Sequence, residues 1–174
     1  MIWRPALRQR GAKGLLAVLF CALAPLPAAA QQGVLSVKAM TPETALAAAR
    51  AALEHCRAQG YQVTVAVVDR SGLLQALVRD RFAGAHTIEV ATNKAWTAAS
   101  FKIATSVLAV ETEAGKPMSG LRGQPRVVAA AGGQVVESGG ALLGGIGVSG
   151  APGGEADDAC ARAGIKAIAE ALEF

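Results

Sequence analysis

The sequence predicts an α+β domain, an antiparallel sheet of about five strands flanked by helices in a layered α/β sandwich. Three observations carry that expectation. β-Branched and apolar runs follow one another across short turns, which makes neighbouring strands antiparallel. Alanine-rich segments with helical spacing precede, separate and follow those runs. No repeat, low-complexity tract or linker divides the chain.

The first thirty residues read as a cleaved export signal. Arg4, Arg8, Arg10 and Lys13 supply a basic start, Gly14 to Ala24 is almost wholly apolar, and Pro25-Leu26-Pro27-Ala28-Ala29-Ala30 offers the small residues of a cleavage site after Ala30. The apolar run is about eleven residues, too short at 1.5 Å per residue for a bilayer core of about 30 Å. Cys21 invites a lipid anchor, but Phe20 before it is bulky for such a site. The reading is therefore a periplasmic or secreted protein with no membrane span after cleavage, and one domain over 31–174.

Loss of the signal changes the charge. The chain has 17 Lys and Arg against 13 Asp and Glu, and the signal holds four of the cations. The remainder is formally neutral, so the sequence pI near 9.3 gives no ground for nucleic-acid binding. Cys56 and Cys160 remain. In an oxidising compartment they can pair, closing a long loop worth about 4–5 kcal/mol, or stay as two buried thiols. The sequence leaves both open.

Thr41-Pro42-Glu43 predicts a helix start, with Thr as cap, Pro in the first helical position and Glu at the positive end of the dipole; the helix runs to about Gln59 and stops at Gly60. Tyr61 to Val68 is a β-branched strand, Asp69-Arg70-Ser71-Gly72 a tight turn, and Leu73 to Val78 the hairpin partner. Gly84 to Ser100 has helical spacing through Ile88, Ala91, Ala95 and Ala99. Thr105 to Glu113 is a shorter helix, and Lys116 to Pro125 a loop. Val127 to Ala131, Gln134 to Val136 and Ala141 to Val148 read as a meander, and Gly153 to Glu173 as a closing amphipathic helix. The glycines from Gly139 to Gly150 lie within strand and turn, which points to close backbone packing rather than a nucleotide loop.

No phosphate loop, paired-histidine zinc motif or serine elbow is present. With two histidines, a multi-histidine metal centre within one subunit is excluded. His55 falls near the end of the first helix. His86 starts the next, in Ala83-Gly84-Ala85-His86-Thr87, where a half-exposed imidazole suits an axial haem ligand or a simple helix-start hydrogen bond. Lys94, flanked by Ala91, Ala95 and Trp96, can lay its stem on apolar surface and offer its charge to a carboxylate or propionate, or pair with Glu89 or a sheet residue. Met118 sits on the loop, a thioether or an anchor.

Three segments together resemble the haem-binding GlcG/HbpS family. They are Val65 to Gly72, Gly84-Ala85-His86-Thr87 through Phe101, and Gly144-Gly145-Ile146-Gly147-Val148-Ser149-Gly150. The resemblance covers about residues 40–173, and the Asp157/Cys160 neighbourhood resembles a secreted branch. It implies haem as cofactor near the subunit surface, with an octamer as the candidate homo-oligomer. It also implies a sensor kinase or a metabolic enzyme as partner. Lys94, Thr97 and Phe101 fall on the family's central segment, and His86 is the first candidate for the iron, with Lys94 facing a propionate. One departure is Gln134-Val135-Val136, where the family often carries another Gly and a Pro. The leading expectation is an exported protein that binds haem and buffers or senses haem and redox conditions. The alternatives are an enzyme of haem degradation or of a small organic acid, drawing on Asp69, Glu89 and His86 as acid–base groups, and a non-catalytic oligomeric accessory protein.

Overall fold

Thr41 starts the first helix as its sequence demands. Its Oγ1 accepts a hydrogen bond from the Thr44 N–H at 3.2 Å, and Pro42 takes the first helical position. This helix, α1 (Pro42–Ala58), opens a computed structural model that describes residues 33–173, so the export signal at 1–30 lies outside the described residues. Strands β1 (Thr64–Asp69) and β2 (Leu74–Arg79) follow, then α2 (Thr87–Phe101) and α3 (Thr105–Glu111), β3 (Gly133–Ser138), β4 (Ala141–Ser149) and α4 (Gly154–Ala167). Short 3-10 turns occupy Ser119–Gly123 and Glu170–Leu172. From Ser36 onward the chain packs as one compact unit.

The sheet runs β2-β1-β4-β3 with every neighbouring pair antiparallel. It has four strands among the described residues where the sequence predicts about five. Val127 to Ala131 is the piece that does not pair. The Thr97 hydroxyl donates to Arg126 O at 3.2 Å and accepts from the Val128 N–H at 3.1 Å, so this stretch is held against α2 instead of a strand. Arg126 adopts φ 70°, a left-handed turn that breaks extension, and its guanidinium lies 4.6 Å from the Trp96 ring centroid. The closing helix is also shorter than its pattern. It ends at Ala167, and the 3-10 turn then folds Leu172 onto the core beside Ile168.

Alternation along the strands sorts the two faces. Val65 and Val67 of β1, with Ile146 and Val148 of β4, meet α1 and α4 in the larger core. Thr64, Ala66, Val68, Gly145 and Gly147 turn to the other face, where α2 lies across the sheet through Ala91, Ala95 and Ala99. The resulting three layers are α2, the sheet, and the α1–α4 pair. Cys56 and Cys160 are joined in a disulfide across that pair, with a Cα–Cα distance of 5.6 Å.

Alanines meeting glycines bring α2 down onto backbone. A Cβ on Gly147 would stand 2.1 Å from Ala91 O and 2.5 Å from Ala95 N. Gly147→Ala is therefore expected to cost about 1–3 kcal/mol, read by urea unfolding, because rigid helix backbone must move. Gly120→Ala, with nothing within 4 Å of its added carbon, is the control and should cost far less. Equal losses in the two variants would show that α2 yields freely.

Candidate functional site

One cleft of about 500 Å³ opens where the N-terminal end of α2 meets the end of β4. The loop from β2 to α2 forms one wall, carrying Phe82, Gly84 and His86; the glycine-rich turn from Ser149 to Gly154 forms the other. Gln62, just before β1, lines the floor.

Polar clamps fix the first wall. Asp80 accepts two hydrogen bonds from Arg57 of α1, at 2.7 and 2.9 Å, and one from the Arg81 N–H. The hydrogen bond from Arg57 is the main reason the Asp80 carboxyl sits below its ordinary value, against the opposing effect of burial. Arg79 donates to Ala83 O at 2.5 Å. Thr87 donates to Gly84 O at 2.6 Å and lies 2.6 Å from the Thr64 hydroxyl, which seats the start of α2 on β1.

A buried ion pair fixes the second wall. Lys94 Nζ donates to Asp157 Oδ2 at 2.8 Å and to Val148 O at 3.0 Å, with both side chains almost wholly buried. The other oxygen of Asp157 accepts from the Ala151 N–H at 3.0 Å, tying the first turn of α4 to the glycine-rich turn. Burial pushes the Asp157 carboxyl above its ordinary value, although the bonds from Lys94 and Ala151 act downward. Asp158 beside it receives the Gly132 N–H, the Gln134 amide and the Arg162 guanidinium. Gly150, at φ 128°, lets the turn pass over Gln62, whose carbonyl oxygen would lie 2.6 Å from an added Cβ.

The four residues singled out from sequence do not form one site within the subunit. His86 alone of them lines the cleft, exposed, with its ring folded so closely over Gly84 that a Cβ there would stand 2.6 Å from His86 Cε1. Lys94 is the correction with the clearest cause: its charge faces Asp157 and Val148 inside the protein rather than a propionate at the surface. Both hydrogen-bonding functions of Thr97 are taken by Arg126 and Val128. Phe101 closes the far end of α2, about 22 Å from His86 at 1.5 Å per residue.

Of the acid–base candidates, only His86 lines the cleft. Asp69 caps the β1–β2 turn, accepting from the Ser71 and Leu73 N–H groups at 2.8 and 2.9 Å. Glu89 is exposed on the first turn of α2. His55 is exposed in the last turn of α1, and Met118 is 40% exposed ahead of the first 3-10 turn. Among the described residues no three His, Cys, Asp or Glu side chains gather around a common point.

Sequence reasoning passed over Gln62 and Phe82. Phe82 is 79% exposed at the cleft mouth, and its signal was a lone aromatic in a charged loop. Gln62 Oε1 is buried without a hydrogen-bond partner, a side chain with unmet capacity facing the cleft.

The molecule is thus an α/β sandwich whose four-stranded antiparallel sheet carries a histidine-edged cleft at one end. The model of the family described as haem degrading protein, HbpS-like, matches residues 40–166, and the chain belongs to that family. A double mutant of HbpS from Streptomyces reticuli is 40% identical over 82% of this chain and 97% of that one, with a TM-score of 0.73. The crystal structure of a PduOC:haem complex is 33% identical, covers 75% of this chain and 96% of that one, and has a TM-score of 0.72. The corrinoid adenosyltransferase PduO of Salmonella typhimurium is 36% identical over 58% of the chain. The matched stretch covers only 31% of that enzyme's length.

Proposed function

We propose that the chain binds haem in this cleft, where His86 would hold the iron. The observation that carries the reading is an exposed imidazole at the mouth of a cavity of about 500 Å³, beside an exposed Phe82. The lining fits the group: a nitrogen donor for iron, and an aromatic ring and flat glycine backbone for the macrocycle. Bound haem would supply a redox-active iron whose potential follows its axial ligand. His86 holds and orients the group, and the Lys94–Asp157 pair keeps the opposite wall in place. The PduOC:haem complex, one-third identical and similarly folded, supports the same ligand here.

The wider role follows as part of the proposal. Ile88 is 42% exposed on the first turn of α2, apolar surface that a second copy of the chain would cover in a homo-oligomer. A disulfide suits an oxidising compartment, which supports export to the periplasm or beyond. Among the described residues no helix is long and apolar enough to cross a membrane. The protein in this reading buffers or senses haem and redox conditions, handing its state to a sensor-kinase or metabolic-enzyme partner. Binding is favoured over turnover because neither Asp69 nor Glu89 lines the cleft with His86.

Titrating the exported protein with haem should give a saturable Soret shift at a fixed haem-to-subunit ratio, and His86→Ala should shift or bleach that band. An unchanged spectrum in the variant would remove His86 as ligand, and no specific shift in the parent would remove haem.

A further inference from the structure

No residue of α1 lines the cleft, yet the end of that helix holds two of its sides. Arg57 O accepts from the Gly60 N–H at 2.8 Å and Cys56 O from the Tyr61 N–H at 3.0 Å, and both Gly60 and Tyr61 are lining residues. The Arg57 guanidinium reaches the other way, to both oxygens of Asp80. Asp80 opens the loop that carries Phe82, Gly84 and His86, and its carbonyl accepts from the Ala83 N–H at 3.1 Å. On the far side α4 holds the glycine-rich turn, through Asp157 and the Ala151 N–H.

The disulfide joins these two holds. Cys56 directly precedes Arg57, and Cys160 stands three residues beyond Asp157, about 4.5 Å along the helix axis. We propose that α1, α4 and the Cys56–Cys160 bridge form a frame that sets the spacing of the cleft walls, with Arg57 and Asp157 as its positioning residues. The effect on haem rests on the reading above; the frame itself does not.

Both walls need support from outside. Phe82 is 79% exposed, so burial does little to fix its loop. The opposite turn contains Gly150, Gly153 and Gly154, residues that lose the most backbone freedom on ordering. A guanidinium bonded to both oxygens of a buried carboxylate fixes orientation as well as distance. The ties from Arg79 and from Lys94 each fix one wall by itself. Packed helices slide by small shears, and a covalent tie at 5.6 Å between Cα atoms stops this pair where its holds on the cleft begin.

Two readouts test the frame, both taken where circular dichroism shows the variants folded. Amide NMR shifts of Gly84, His86 and Ala151 in the haem-free protein report the walls, and haem titration of the same samples reports the ligand. Arg57→Ala should move the Gly84 and His86 amides and weaken haem binding about tenfold, the scale for losing an outer-shell support of a metal ligand. Arg57→Lys keeps the charge without the planar two-bond geometry and should fall between that variant and the parent. Cys56→Ser with Cys160→Ser should move amides on both walls and weaken haem by a similar factor. Arg50→Ala, exposed elsewhere on α1, should match the parent in both readouts. Wall amides that stay in place in folded Arg57→Ala would overturn the proposal, and so would a parent-like haem affinity in that variant. Arg57→Ala leaves the bridge intact, so it decides the matter even where the double serine variant does not fold. A parent that binds no haem removes the haem reading alone, and the amides still judge the frame.

Discussion

Lys94→Met should cost about 3–5 kcal/mol of folding stability, the usual penalty for leaving one member of a buried ion pair alone. Methionine keeps much of the stem that runs beneath the glycine-rich turn, so lost charge rather than lost volume dominates. The Asp157 carboxylate would then hold only the Ala151 N–H, with Asp158 as a like charge beside it. Urea unfolding of parent and variant at pH 8 reads the difference. A loss below about 1 kcal/mol would show that water already reaches the pair.

The pH dependence of that loss has a definite sign. Burial already raises the Asp157 carboxyl, and both effects of Lys94 act downward, so removing Lys94 lifts it further. A carboxyl raised above its unfolded value of about 3.9 lends stability that is fully present below that value. That stability is lost as pH rises through the folded value. The deficit of Lys94→Met should therefore shrink from pH 8 toward pH 4. Adding Asp157→Asn to Lys94→Met should recover much of it at pH 8, because the amide oxygen still accepts from Ala151 while the charge is gone.

Why Lys94 was legible as a notable residue but not as a buried one lies in the layering. Its place on α2 beside Ala91, Ala95 and Trp96 gives a lysine on an apolar helix, and that pattern fits a snorkelling surface cation equally well. What buries it is β4 together with the first turn of α4, and Asp157 stands 63 residues away. Local periodicity carries no term for a partner at that separation. The same limit explains Val127 to Ala131, whose apolar run reads as a strand until the Thr97 hydroxyl, about 30 residues earlier, engages its backbone. Signals contained in a few neighbouring residues fared better. Thr41-Pro42 starts α1 and Gly72 turns the first hairpin at φ 79°. Gly145 and Gly147 of β4 lie under α2 as close-packing glycines should. His86 was legible because a histidine opening a helix after glycine is a local fact; Gln62 and Phe82 were not, because only the fold brings their loops to the same cleft.

Replacing Cys56 and Cys160 together by serine should lower stability by about 4–5 kcal/mol, the chain-entropy value for a loop of about 100 residues. The bridge closes a sequence separation of 104 between α1 and α4. Its share of the total is large because the interface it crosses is built from small side chains. Ala45, Ala48, Ala49 and Ala52 line α1, and Gly164 of α4 comes so close that an added Cβ would stand 2.6 Å from Ala48 O. Such packing is tight, but each alanine removes little apolar area from water at about 25 cal/mol per Å². A domain whose net stability is about 5–15 kcal/mol would then lose about a quarter or more of it. Urea unfolding of the double serine variant measures the loss directly. Because Cys56 and Cys160 are at most 1% exposed, reductant should act on the parent only after α1 and α4 separate. Reduction should consequently quicken as urea approaches the unfolding midpoint. A double variant within about 1 kcal/mol of the parent would show that the alanine–glycine contact holds the two helices without the bridge.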